Sequence, residues 1–183
     1  MVGGGGGAAE TSKTAAGGFE LAEFNVARLR APLDHPDTAE FVANLDAVNT
    51  EAEAAPGFVW RLTDESGQSS SYVVAYDDPL MIINYSIWAS PNDLHAFVFK
   101  TMHAQFLRRR REWFQAVEAA ILVCWWIPAG QRPPVAEAQE RLERLRRDGP
   151  TADAFTLRHR FPPPGASTAS DADGSHLESA AGS

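Results

Sequence analysis

Cysteine and long apolar runs are scarce in this sequence. Cys124 is the only cysteine among 183 residues, which excludes an intramolecular disulfide and a metal cage built from cysteines. It lies in the apolar stretch ILVCWWIP, where a small buried thiol is the favoured interpretation. No apolar run approaches the ~18–20 residues that cross a bilayer. The N-terminus also lacks the basic start and apolar middle of a secretory signal. We therefore expect a cytoplasmic protein with no membrane partner.

Positive charge is also in short supply. The chain has 16 Lys and Arg against 24 Asp and Glu, a net charge of -8. The last residues, 162–183, hold Asp171, Asp173 and Glu178 and no Lys or Arg, but the remainder is acidic too. Affinity for nucleic acids comes largely from basic side chains that release counterions from phosphates. The balance of charge therefore argues against a nucleic-acid partner.

Several catalytic and metal-binding motifs are missing. No glycine-rich phosphate loop follows a strand, because the glycine cluster lies near the N-terminus. The sequence has no G-x-S-x-G nucleophile motif and no H-E-x-x-H zinc motif. We expect no metal site, and the first expectation for cofactors is that there is none.

Both ends of the chain consist mostly of small and polar residues. Residues 1–18 and 162–183 contain little large apolar surface to offset the entropy of ordering them. We predict disordered tails there and a single domain at 19–161. With 44% hydrophobic residues, the chain has enough apolar material for one core.

The periodicity of the domain changes from strand to helix and back several times. Strands are predicted for FELAEFNVARLR, GFVWRLT, PLMIINYSIW, ILVCWWIP and AFTLRHRF, and helices for residues 38–54, 91–119 and 135–147, with a possible break near Thr101. The order β-α-β-β-α-β, followed by a further helix and strand, predicts an α+β fold of the ferredoxin-like split β-α-β type. Since ILVCWWIP is apolar on both sides, the second sheet face must be covered, and we expect a two-fold homodimer through it.

The stretch HAQFLRRRREWF, residues 103–114, combines a histidine with four consecutive arginines. On a helix such a run spreads around most of the circumference, so the four cannot all do one job. His103 and Arg110 lie two turns apart on one face. The run is either a solvated helix face, or His103 and Arg110 point inward, where a guanidinium needs a buried acceptor or an anionic ligand. His103 alone is as consistent with a hydrogen-bonded core histidine as with a site residue.

Two asparagines interrupt otherwise apolar strands. Asn25 and Asn84 either tie neighbouring strands together or converge with His103 and Arg110 on a pocket. A few polar groups in an aromatic-lined cavity are typical of a small-molecule site. The adjacent Trp125 and Trp126 must point to opposite sheet faces, so at most one joins the pocket. The other predicted walls are Trp60, Trp88 and Trp113.

The phrases LAEFNVARLRAPLDHP, FVANLDAVNTEAEAAPGFVWRL, NYSIWASPNDLHAFVFKTMHAQFLRRRREWF, WWIPAG and GPTADAFTLRHRF resemble a bacterial family known as domain of unknown function 3291. The resemblance covers nearly all of residues 19–161. That family in turn resembles the dimeric α+β barrel superfamily, which includes antibiotic-biosynthesis monooxygenases, haem-degrading monooxygenases and chlorite dismutase-like proteins. The fold that it implies agrees with the one predicted from the elements.

The resemblance also implies possible chemistries. Cofactor-independent members of the superfamily oxidise electron-rich aromatic substrates with dioxygen, and Asn25, Asn84, Trp60, Trp88 and Arg110 are residue types suited to such a pocket. Haem-binding members carry an axial histidine on their second helix, and His103 occupies a comparable helix. A haem bound through His103 is therefore the possible cofactor.

Three hypotheses follow. The first is a homodimeric enzyme for an aromatic or polyketide-like metabolite, a cofactor-independent monooxygenase or a related isomerase or cyclase. In it His103 is the general base or hydrogen-bond donor, Arg110 holds an anion, and Asn25 and Asn84 orient the substrate oxygen. The second is a haem protein with His103 as axial ligand. The third is a non-catalytic module that binds a small apolar ligand.

Overall fold

The computed structural model of the chain describes residues 18–101 and 103–166, apart from the side chain of His103. The two predicted tails, 1–18 and 162–183, lie almost wholly outside these residues, so their disorder stays a prediction.

Four strands and four α-helices build the described part of the chain. In chain order they are β1 (Phe19–Arg28), α1 (Ala39–Ala54), β2 (Phe58–Arg61), β3 (Met81–Trp88), α2 (Pro91–Lys100), α3 (His103–Arg109), β4 (Leu122–Pro128) and α4 (Val135–Asp148). The strands form one sheet in the order β2-β3-β1-β4, and all neighbours are antiparallel. This is the order of a ferredoxin-like split β-α-β sheet, which confirms the predicted α+β fold class.

The turn between α1 and β2 packs closely against the start of α2. Gly57 adopts φ +74°, a conformation that a residue without a Cβ adopts at little cost. A Cβ at this position would collide with the side chain of Asp93. Asp93 belongs to the first turn of α2, where its backbone N–H donates to the Oγ of Ser90, the N-cap residue. The turn that follows α1 therefore lies directly against the first turn of α2.

The helix predicted for residues 91–119 is shorter and interrupted. The break near Thr101 is confirmed, since α2 ends at Lys100, but α3 ends at Arg109 and one 3₁₀ turn, Arg110–Glu112, follows. Beyond it the chain bonds to the end of β1: Gln115 donates its backbone N–H to the carbonyl of Arg28 at 2.8 Å and its side-chain amide to that of Leu29 at 2.9 Å. These bonds replace the helical ones that the pattern predicted.

The strand predicted for AFTLRHRF is also wrong. Only Phe155 pairs with the sheet, exchanging two backbone hydrogen bonds with Cys124 at 2.7 and 2.9 Å. The chain then turns, with the N–H of His159 donating to the carbonyl of Thr156. Phe155 packs against Trp126, so this segment covers one corner of the sheet instead of extending it.

The two faces of the sheet have different covers. Helices α1, α2 and α3 lie over one face, and α4 packs on the other, where Ala138, Leu142 and Leu145 join a buried cluster with Trp125. Trp125 is 0% exposed, and the guanidinium of Arg141 lies 5.4 Å from its ring centre. The face that we expected a second chain to cover is therefore covered by α4. The homodimer stays a prediction, and the need to cover the second sheet face no longer supports it.

Candidate active site

A cavity of about 280 Å³ separates the helical layer from the sheet. Its roof and sides are mostly apolar and come from all three helices on that face, including Phe41 and Leu45 of α1, Phe97 of α2, and Phe106 of α3. Its floor is the inward face of β1 and β3, where the polar lining residues are Glu23, Asn25, Asn84 and Ser86. An apolar cavity with a few convergent polar groups has the composition of a small-molecule site.

Glu23 lies at the centre of this floor and is 2% exposed. Its Oε1 accepts a hydrogen bond from Asn25 Nδ2 at 2.7 Å, and its Oε2 accepts from Ser86 Oγ at 2.9 Å and Asn84 Nδ2 at 3.3 Å. The strand register produces this cluster, because Glu23 of β1 pairs with Ser86 of β3 and Asn25 pairs with Asn84. Neighbouring strands therefore bring one carboxyl group and three donors to one face.

Trp88 fixes the direction of one of these hydrogen bonds. Its indole N–H donates to Ser86 Oγ at 2.9 Å, so the single hydroxyl proton of Ser86 is free to point at Glu23. The indole itself is held by Phe97, with ring centres 5.2 Å apart, and by the edge contact of Phe58 at 5.4 Å. A chain of two bonds thus runs from Trp88 to the carboxyl group.

Burial raises the pKa of Glu23 from its ordinary value of 4.5 to about 7, although the hydrogen bonds from Asn25 and Ser86 lower it in part. Desolvation disfavours the charged form of a carboxyl group, whereas donors favour it. Near neutral pH the carboxyl is therefore present both as acid and as base. A general base with a pKa close to the working pH is the kind that enzymes use for proton abstraction.

Arg110 lies at the mouth of the cavity. It is exposed, and its Nη1 donates to the backbone carbonyl of Leu107 at 3.0 Å. Within the described residues it has no carboxylate partner. Its neighbour Arg109 is fully engaged, with both terminal nitrogens on Glu40 at 2.6 and 2.8 Å and two bonds to Glu112. Arg109 and Arg110 therefore make different contacts, and Arg110 is the arginine of the run that lines the cavity.

A profile of the family described as a domain of unknown function, DUF3291, matches residues 20–171. The chain belongs to this family. The family predicted from the sequence is thereby confirmed. A search of curated proteins finds no significant match.

Solved structures with a similar fold include two bacterial proteins. SnoaB, a cofactor-independent oxygenase from Streptomyces nogalater, is 14% identical, with a TM-score of 0.41 over 63% of this chain and 97% of its own. A protein of unknown function from Nitrosomonas europaea is 12% identical, with a TM-score of 0.40 over 64% of this chain and 96% of its own. Likenesses this distant carry no argument about activity.

Four of the residues that the sequence singled out meet at the cavity of the DUF3291 chain. Asn25, Asn84 and Trp88 lie along its floor and Arg110 at its mouth. Asn84 also does what the structural alternative predicted, because it lies on β3, bonds to Glu23 on β1 and so ties the two strands together. Asn25 does not, because it bonds to Glu23 within its own strand.

Trp60 and Trp113 do not wall the cavity. Trp60 lies on the opposite sheet face, where it packs edge-on against Tyr85 at 5.4 Å. Because side chains alternate along a strand, it is the next residue, Arg61, that reaches the cavity. Trp113 is buried but packs behind Phe41 and Phe106, which form the wall in its place.

Trp125 and Trp126 point to opposite sheet faces, as predicted, and neither lines the cavity. Trp125 lies beneath α4. Trp126 is on the cavity side of the sheet, but Phe155 and Phe161 cover that corner, and the indole N–H of Trp126 donates to the carbonyl of Phe161 at 2.8 Å.

His103 begins α3, and its side chain lies outside the described residues. Its predicted roles as general base, hydrogen-bond donor or haem ligand therefore stay predictions. Among the residues that the structure does describe, no group of three His, Cys, Asp or Glu side chains could hold a metal ion. No helix in that part of the chain is long and apolar enough to cross a membrane.

Glu23 is the site residue that the sequence interpretation missed. The strand pattern places it on the same face as Asn25, within the apolar stretch FELAEFNV. An acidic residue on the inward face of a buried strand has to be paired, hydrogen-bonded or protonated. The place of Glu23 on the same strand face as Asn25 could therefore have identified it from the sequence. Without that observation, a glutamate in a strand is assumed to point into solvent.

Proposed function

We propose that this protein is an enzyme that removes a proton from a flat, mostly apolar small molecule, an aromatic or polyketide-like metabolite, with Glu23 as general base. The observation that carries the proposal is a carboxyl group, 2% exposed, on the floor of an otherwise apolar cavity of about 280 Å³. Burial makes the charged form of a carboxyl group costly, so Glu23 binds a proton more tightly than an exposed glutamate does. Its pKa of about 7 suits a base that works near neutral pH.

The carboxyl group has room for one proton from a substrate. A carboxylate can accept about four hydrogen bonds, two at each oxygen. Three are occupied, one at Oε1 by Asn25 and two at Oε2 by Asn84 and Ser86. The remaining position on Oε1 can take a C–H or O–H proton, while the electron pair of the broken bond stays on the substrate as an enolate or phenolate.

The anion has two possible fates, which correspond to the two reaction classes predicted from the sequence. In an isomerase or cyclase, the proton returns to another atom, or the carbanion attacks a carbonyl within the same molecule. In a cofactor-independent monooxygenase, the anion is itself the reductant: it gives electrons to dioxygen, one oxygen atom becomes a carbonyl on the ring, and the other leaves as water. The apolar walls would protect either intermediate from solvent.

Arg110 is proposed to hold an anionic substituent of the substrate at the mouth, and Trp88 to supply a flat apolar surface beside Glu23. The proposal keeps the expectations of a homodimer in the cytoplasm that acts without metal, membrane or nucleic acid. The two alternatives, a haem protein with His103 as ligand and a non-catalytic binding module, predict no proton transfer that depends on Glu23.

The test uses 5-nitrobenzisoxazole, a flat aromatic carbon acid. When a base takes its C–H proton, the ring N–O bond breaks and a coloured nitrophenolate forms, so the reaction needs neither dioxygen nor a cofactor. We expect the protein to accelerate this reaction and Glu23→Gln to abolish the acceleration. Glu20→Gln is the matched control, because Glu20 is a second buried glutamate of β1, but it bonds to Arg132 and does not line the cavity.

An equal rate for the parent protein and Glu23→Gln would refute the role of Glu23. A second measurement then separates the reaction classes: anthrone, an enolisable tricyclic ketone, is added and oxygen uptake is recorded. Uptake of one dioxygen for each anthraquinone formed, lost in Glu23→Gln, supports the monooxygenase. Proton abstraction without oxygen uptake supports the isomerase or cyclase.

A further inference from the structure

Helix α1 lines the cavity with a single stripe of residues, and only two of them are polar. The stripe consists of Phe41, Asn44, Leu45, Val48, Asn49 and Ala52, the spacing of one helix face. The Nδ2 of Asn44 donates to the carbonyl of Glu40, one turn earlier on the same helix, at 2.7 Å. Asn49 differs, because its side chain makes no hydrogen bond with any described residue and its Nδ2 is buried.

An orphaned buried amide is unusual, since the great majority of buried polar groups in native proteins are hydrogen-bonded. In this cavity the other asparagines all have partners: Asn25 and Asn84 donate to Glu23, and Asn44 donates to its own helix. Among the asparagines of the described cavity lining, Asn49 is the one whose side-chain amide has no hydrogen-bond partner. It stands on the helical side of the cavity, across from the sheet that carries Glu23.

We propose that Asn49 is a substrate-binding residue that donates a hydrogen bond to a carbonyl oxygen, so the substrates of this site are ketones with an acidic C–H next to the carbonyl group. This inference rests on the proposed function and names its substrate class. Because the amide has no bond to lose, rotation about its last side-chain torsion can turn Nδ2 toward a ligand.

In this arrangement the sheet supplies the base and helix α1 supplies the hydrogen-bond donor. Glu23 on the sheet takes the α-proton, the C–H electron pair becomes a C=C bond, and the carbonyl π pair moves onto oxygen. The Nδ2–H of Asn49 then faces an enolate oxygen, and hydrogen bonds to charged acceptors are shorter and stronger than those to neutral ones. Asn49 thus stabilises the anion more than the ketone, which is the requirement for a group that aids catalysis.

The experiment uses two probes of the same shape, 2-tetralone and tetralin, which differ by the carbonyl oxygen. Binding to the full chain is measured by ligand-observed NMR. We expect the parent protein to prefer 2-tetralone by about fivefold, the contribution of one neutral hydrogen bond. Asn49→Leu is expected to lose the preference while it still binds tetralin and keeps or raises the Tm, because it removes the orphaned amide. Asn44→Leu, from the same stripe, is expected to keep the preference.

Deuterium uptake at the α-carbon of 2-tetralone gives a second reading. In Asn49→Leu the exchange rate should fall by about tenfold or more, mainly in kcat, since the hydrogen bond strengthens as the enolate forms. An unchanged preference in Asn49→Leu overturns the inference, and so does a parent protein that binds the two probes equally or binds neither. Deuterium exchange that survives in Glu23→Gln contradicts the proposed function and not the role of Asn49. The preference for 2-tetralone over tetralin tests the role of Asn49 independently of Glu23.

Discussion

Replacing Glu23 with glutamine should change the pH dependence of stability in a predictable direction. The substitution keeps the size and shape of the side chain but removes one titrating carboxyl group. In the parent protein the pKa of this group is about 7 in the folded state, against an ordinary value of 4.5. Between these two pH values the folded chain therefore binds more protons at this position than the unfolded chain does, and stability falls as the pH rises.

The expected magnitude follows from the interval between the two pKa values. Each pH unit within it corresponds to about 1.4 kcal/mol, so the parent protein should lose about 3 to 4 kcal/mol of unfolding free energy through Glu23 as the pH rises through the interval. This contribution is fully present below 4.5 and is lost once the pH passes the folded-state value. Solvent screening does not reduce it much, because the side chain is 2% exposed.

The assay is urea unfolding of the parent protein and Glu23→Gln at several pH values from about 5 to about 8. All other titrating groups are common to both proteins, so the difference between their free energies of unfolding isolates Glu23. We expect the stability of Glu23→Gln relative to the parent to rise with pH up to about 7 and then to level off, with a total change of about 2 to 3 kcal/mol over this range. A difference that stays constant with pH would show that the carboxyl group titrates at its ordinary value, and the reasoning about a base poised near neutrality would fail.

Three further predictions concern two residues of the site and one on the opposite face of the sheet. Ser86→Ala removes a donor to the ionised carboxyl, so a ¹³C NMR titration should show the pKa of Glu23 raised further; an unchanged value would contradict the hydrogen bond. Arg110→Ala should weaken binding of 2-naphthoate by about fivefold, or about 1 kcal/mol for an exposed pair, and equal weakening in the exposed control Arg111→Ala would refute a specific role. Trp125→Ala should cost about 3–5 kcal/mol in urea unfolding, and a loss below about 1 kcal/mol would show that α4 does not depend on this contact.

The sheet and its faces could be predicted from the sequence because strand periodicity is a local property. Residues two apart share a face, so the strand pattern puts Asn25 on the same face of β1 as Glu23, and the structure pairs Asn25 directly with Asn84 of β3. The predictions failed where distant contacts decide the outcome. Gln115 leaves the helical pattern because it bonds to the end of β1, and no window around residue 115 contains that information.

The errors at the site have a similar cause. Trp60 and Trp113 both lie close to elements that form the cavity. Which side chains of the four-residue strand β2 face the cavity depends on a register shift within that strand. Trp113 packs behind Phe41 and Phe106, which form the cavity wall. Glu23 was missed for the opposite reason. Its burial follows from the cover that the helices provide, so its unusual pKa depends on packing that appears only in three dimensions.

The pH profile of α-proton exchange tests the central claim, that Glu23 takes a proton from a molecule bound in the cavity. The measurement is kcat/KM for deuterium uptake by 2-tetralone, after the rate in buffer alone has been subtracted. The pH dependence of kcat/KM reports the ionisation of groups in the free enzyme. The account predicts that kcat/KM rises with pH, because the base must be ionised, and levels off above an inflection at about 7. The Glu23→Gln variant should show no such step. A profile without the inflection, or the same profile in both proteins, would contradict the account.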